Sequence, residues 1–125
     1  MIYAGPRLAA RGLETYARGC RQIAAGLSLV RSRRRAGGLP RLVVIALGAN
    51  GGMTTADLRR ALSIVGSRRV LGLVTPRNNA AAASAIRTFA QAHADRVLLI
   101  DWRARSAAHP GWFFSDGLQV NVRGE

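Results

Sequence analysis

The chain predicts an α/β domain, a parallel sheet in three layers with helices on both faces, and three observations carry that prediction. Glycine, proline and asparagine punctuate the sequence into alternating helical and extended pieces. Three short apolar runs rich in branched residues, at residues 42–47 (LVVIAL), Val70–Val74 and Val97–Ile100, have the length of buried strands. Helical periodicity fills the intervals between them. The length of 125 residues suits one domain, and a composition 49% hydrophobic and 20% charged allows a core and excludes a disordered chain.

Residues 3–13 read as a loose first helix, with Leu8 and Leu13 as its apolar contacts. Residues 22–35 place Ile23, Leu27 and Val30 at helical spacing and stop at Gly37 and Gly38. The run 42–47 is the first strand, and Gly48, Ala49, Asn50, Gly51 and Gly52 form a flexible loop after it. Thr54 and Asp57 have capping-box spacing, and Leu58, Leu62 and Val65 then form one apolar stripe closed by Gly66. The second strand ends at Thr75 and Pro76. Asn78 or Asn79 caps the next helix, whose inner face carries Ile86, Phe89 and Ala90. The third strand leads into Asp101 and Trp102, and the rest of the chain reads as irregular. In such sheets ligands bind beyond the carboxyl ends of the strands, where Asn50, Thr75, Asn78, Asp101 and Asp116 are expected to gather.

The formal charge is +13 and every basic residue is arginine. With the heavy use of alanine and glycine, that bias reads as GC-rich coding rather than as a selected binding surface. The scattered arginines argue against a specific nucleic-acid site, although a basic nucleic-acid-binding protein stays open on charge alone. The one dense run, Arg31, Arg33, Arg34 and Arg35, is expected to serve the dipole of its own helix at the C-terminal end. Cys20 is the single cysteine, which excludes an intramolecular disulfide and a thiolate cluster. His and carboxylate spacings give no recognisable metal set, and no cofactor is expected. There is no run of roughly twenty apolar residues and no signal-peptide pattern, so the expectation is a cytoplasmic product without a membrane span.

The succession VVIALGANGG, a helix, RVLGLVTP, VLLIDW and HPGWFFSDG resembles the SGNH (GDSL-like) hydrolase and acyltransferase family, and particularly the domains attached to bacterial membrane acyltransferases. The likeness runs from about Gly19 to the end. It implies a flavodoxin-like fold and acyl-ester chemistry, with cell-envelope carbohydrate as one possible substrate. A family loop of the form G-x-N lends an asparagine side chain to the oxyanion hole, and Gly48-Ala49-Asn50 matches it. Gly19 falls in the block whose backbone N–H faces the same oxyanion. Near the end the family carries D-G-x-H, with histidine as general base and aspartate as its orienter; here Asp116 matches and Gln119 stands in the place of the histidine.

The family also begins with a strand leading into Gly-Asp-Ser, whereas this chain opens at Met1-Ile2-Tyr3, which resembles the stretch after that serine. A single domain over residues 1–125, cut at both ends, is the resulting expectation, with a homodimer or the missing N-terminal piece as possible cover for the sheet. The family's domains are often extracytoplasmic. Glutamine accepts no proton at neutral pH, and in a serine protease loss of the triad serine or histidine costs on the order of a millionfold in turnover. The expectation is therefore an esterase- or acyltransferase-related domain that is catalytically impaired, with a non-catalytic binding or remnant domain of the same fold as the alternative. His93 is expected in a surface or helix-end role, and His109 in a loop feature rather than as a relocated base. Asp101 is expected to cap or to pair with an arginine, Arg103 or Arg105, rather than to serve as a metal ligand or an acid. Trp112 and Phe113 either line an acyl or sugar pocket or pack beneath the last loop.

Overall fold

The computed structural model describes residues 5–124. The start of the expected first helix, with Met1-Ile2-Tyr3, and Glu125 lie outside the described residues. The elements are α1 (Gly5–Ala9), α2 (Ile23–Arg35), β1 (Leu42–Ile45), α3 (Thr55–Val65), β2 (Val70–Val74), α4 (Ala80–Ala92), β3 (Val97–Ile100) and α5 (Trp102–Ser106), followed by a 3-10 turn at Pro110–Trp112. The described chain falls into two compact units. One spans Arg21–Arg103, and the other consists of the residues up to Cys20 together with those from Ala104 onward.

The first unit is a mixed α/β structure whose three parallel strands stand in the order β1-β2-β3. Val43 pairs with Leu71 and Leu71 with Val97, while Ile45 pairs with Leu73 and Leu73 with Leu99. Because side chains alternate along a strand, these residues share one face. They form a single core with Leu27 of α2, Leu58, Leu62 and Val65 of α3, and Ile86, Phe89 and Ala90 of α4. The opposite face carries Leu42, Val44, Val70 and Leu98, all exposed.

Helices on both faces are therefore not what this unit shows. Strands taken in sequential order, each joined to the next by a right-handed crossover, place the connecting helices on one side only. The apolar run at 42–47 also forms a shorter strand than expected, and its burial alternates instead of being complete.

Local sequence explains where the helices begin. The Thr54 hydroxyl accepts the Asp57 N–H at 3.2 Å, and an Asp57 carboxylate oxygen accepts the Thr54 N–H at 3.0 Å, closing the expected capping box. Asn79, not Asn78, caps α4 by accepting the Ala82 N–H at 3.0 Å. The α4 helix stops at His93, whose ring lies 2.9 Å from the Phe89 carbonyl and stacks on the Phe89 ring. Leu13, expected with Leu8 as an apolar contact of the first helix, is exposed.

The arginine run does not serve its own helix alone. Arg34 donates to the carbonyls of Ser63 (2.9 Å) and Ile64 (2.7 Å) at the far end of α3. Arg69 donates to the Val65 carbonyl (3.3 Å) and Arg96 to that of Gly66 (2.6 Å). Three guanidinium groups thus converge on carbonyls that a helix end leaves without intrahelical partners, where the helix dipole is negative. A share of the basic charge is structural.

Candidate functional site

The loop after β1 lies at the carboxyl end of the sheet, and Gly48 starts it. Gly48 is buried with φ at 100°, a left-handed conformation that suits glycine because a side chain there is strained. The next carbonyls are taken by amide side chains. Asn79 donates to Gly48 (3.0 Å) and Gly51 (3.3 Å), Asn78 to Ala49 (3.1 Å) and Gln22 to the Asn50 carbonyl (3.0 Å). Four consecutive carbonyls are thereby satisfied from the two residues before α4 and from the residue before α2. Among the described residues the N–H groups of residues 49–52 find no acceptor, and the Asn50 residue is exposed.

Beside this loop, a polar cluster closes the ends of β2 and β3. The buried Thr75 hydroxyl donates to an Asp101 carboxylate oxygen (2.8 Å) and accepts the Arg103 N–H (2.9 Å). Asp101 in turn receives two bonds from Arg87, at 2.7 and 2.9 Å. This bidentate pair is the strong form of a charge-assisted bond, and the carboxylate bond pushes the Arg87 pKa further up. Asp101 is accordingly paired with Arg87, a partner that the sequence does not suggest. The guanidinium of Arg103 instead donates to the Arg77 carbonyl. One signal for Arg87 was present: it is the single charged residue in α4.

The second unit holds the other sequence-predicted residues. Asp116 sits in a turn between Phe113 and Val120, which form an antiparallel bridge. One Asp116 oxygen accepts the N–H groups of Leu118 (2.9 Å) and Gln119 (3.0 Å), and those two bonds, Leu118 first, hold its carboxyl below the usual carboxylate range. Gln119 also accepts the Phe114 N–H through its carbonyl. The tail is therefore less irregular than its sequence suggests.

Phe113 is buried, while Trp112 is half-buried, with its ring stacked on His109 at 3.8 Å between centroids. The Arg105 guanidinium lies 6.0 Å from the Trp112 ring centroid. Asn121 fastens this segment by donating to Gly111 (2.9 Å) and Phe113 (3.0 Å). Gly19 is exposed and precedes Cys20, whose φ of 53° is left-handed.

The structure brings Gly48, Asn50, Thr75, Asn78 and Asp101 together in the first unit. Gly19, Trp112, Phe113, Asp116 and Gln119 belong to the second. Sequence reasoning missed Gln22 and the loop-holding role of Asn79, since neither bond has a local pattern.

Among the described residues no group of three His, Cys, Asp or Glu side chains gathers as metal ligands, and no helix is long and apolar enough to cross a membrane. A scan against protein-family models finds none that matches the chain, and no curated protein matches it.

Proposed function

We propose that the chain is an SGNH-type domain, related to esterases and O-acyltransferases of acyl esters, that retains an oxyanion-binding loop but does not turn over ester. The observation that carries this reading is the loop at residues 48–52. Its carbonyls are tied inward by three neutral amides, while its N–H groups and the exposed Asn50 amide remain available to an anionic oxygen. Such donors are useful in acyl transfer when they are held before the charge develops. The parallel sheet and the position of the loop beyond a strand's carboxyl end also support a flavodoxin-like fold.

Turnover needs a base that accepts the nucleophile's proton. Gln119 has no such capacity, and the Asp116 oxygen that would orient a base already takes two backbone N–H groups. A substrate is then bound rather than consumed, which joins the esterase-related reading to a binding domain of the same fold.

Titration of the 15N-labelled chain with methylphosphonate tests the loop directly. The expected result is a saturable shift of the Asn50 side-chain resonances and of the N–H signals of residues 49–52, lost in Asn50→Ala. Shifts spread evenly over the arginines would end the oxyanion reading. For turnover, nitrophenyl acetate hydrolysis should equal that of Asn50→Ala, and a fluorophosphonate adduct on any serine would show that a nucleophile is active after all.

A further inference from the structure

The uncovered face of the sheet calls for an occupant. Leu42, Val44, Val70 and Leu98 are 40%, 37%, 40% and 47% exposed, and the register sets Leu42 beside Val70 and puts Val44 and Leu98 on either side of Gly72. Val74 and Ile100 continue the same face, half-buried. Parallel sheets almost always have both faces covered, because their crossovers bring helices to each. Here the helices of the unit share the other side.

Charge and area narrow the choice. Between Arg21 and Arg103 the unit carries 14 arginines against three carboxylates, of which Asp57 closes a capping box and Asp101 holds Arg87. Arg41 and Arg68, both exposed, stand one and two residues before Leu42 and Val70 in the chain, and among the described residues Asp95 is the one carboxylate in the segments that lead directly into the three strands. A second copy would bring like charge against like charge. The four exposed side chains also offer on the order of a few hundred Å², short of the roughly 800 Å² per partner of a standard interface. A single helix matches that area.

We propose that this face docks an amphipathic helix of a partner protein, with an apolar stripe on Val44, Val70 and Leu98 and with flanking carboxylates opposite Arg41 and Arg68. The mode is the laying of a helix on an apolar surface, with charge setting its identity.

The test uses the full chain and a fluorescein-labelled 18-residue peptide with leucines at helical spacing and glutamates elsewhere. Saturable one-to-one binding is expected, weakened at least tenfold by the pair Val44→Asp and Leu98→Asp with circular dichroism unchanged. A peptide of the same composition with its leucines scrambled should bind at least tenfold more weakly, which separates docking from general attraction to a basic chain. A bimane label on Val44→Cys, in a Cys20→Ser background, should shift to the blue when the leucine-striped peptide is added. Equal binding of the striped and scrambled peptides overturns the proposal. So does equal binding by lysine-flanked peptide, or a dimer by sedimentation whose Val44 label is already shielded, which would assign the face to a second copy.

Discussion

At the amino end of the sheet three guanidinium groups, from Arg34, Arg69 and Arg96, take the last carbonyls of α3. At its carboxyl end three neutral amides, from Gln22, Asn78 and Asn79, take the carbonyls of the loop at residues 48–52. Both solutions meet the same need, since a carbonyl without a partner is costly once shielded from water. They differ in the field they leave behind. A cation suits the negative end of a helix dipole, whereas a guanidinium beside the loop would itself capture any anion arriving there. Neutral amides shape the loop and leave its N–H groups to a ligand. The carboxyl end does contain a strong ion pair, Arg87 with Asp101, but that guanidinium is already satisfied.

The largest expected effect is at the carboxyl end. Thr75→Val removes both bonds of a fully buried hydroxyl and leaves the Arg103 N–H without its acceptor; a loss of about 2 kcal/mol in urea-melt stability is expected. Next comes Asn79→Ala, which removes the α4 cap and two loop ties for about 1.5 kcal/mol. Asn79→Asp keeps the acceptor for Ala82 but not the two donors. It should retain most of the melting temperature while 15N order parameters fall at residues 48–52, and unchanged order there would show that the amides do not shape the loop.

At the amino end, Arg34→Met should cost about 1 kcal/mol, since its carbonyl bonds are charge-assisted but the side chain is largely exposed. A difference that does not shrink between low and high salt would argue for packing rather than charge. The smallest effect concerns Asp57, whose pKa is lowered first by the backbone bond from Thr54 and then by its hydroxyl. A depressed folded pKa means that the contribution is present above the unfolded value, near 3.8, and is lost as pH falls through the lower folded value. Asp57→Asn should flatten the stability profile in that acid window by a few tenths of a kcal/mol, screening included. The profile near neutrality should keep its shape.

Read alone, the sequence determined what depends on neighbours along the chain. The capping box at Thr54 and Asp57, the stop at Gly66, the strands Val70–Val74 and Val97–Ile100, and the inward set Ile86, Phe89 and Ala90 follow from local bonds and from periodicity. The loop at residues 48–52 was legible as a turn after a strand, since glycines and an asparagine following an apolar run mark one.

Tertiary structure decided the rest. Arg87 reaches Asp101 from 14 positions away, Arg34 caps α3 rather than only its own helix, and Gln22 reaches the Asn50 carbonyl 28 positions away. Only the strand order could decide that one face of the sheet is covered and the other open. An apolar run reads the same whether a helix lies on one side of it or on both, because coverage depends on the direction in which successive strands are added.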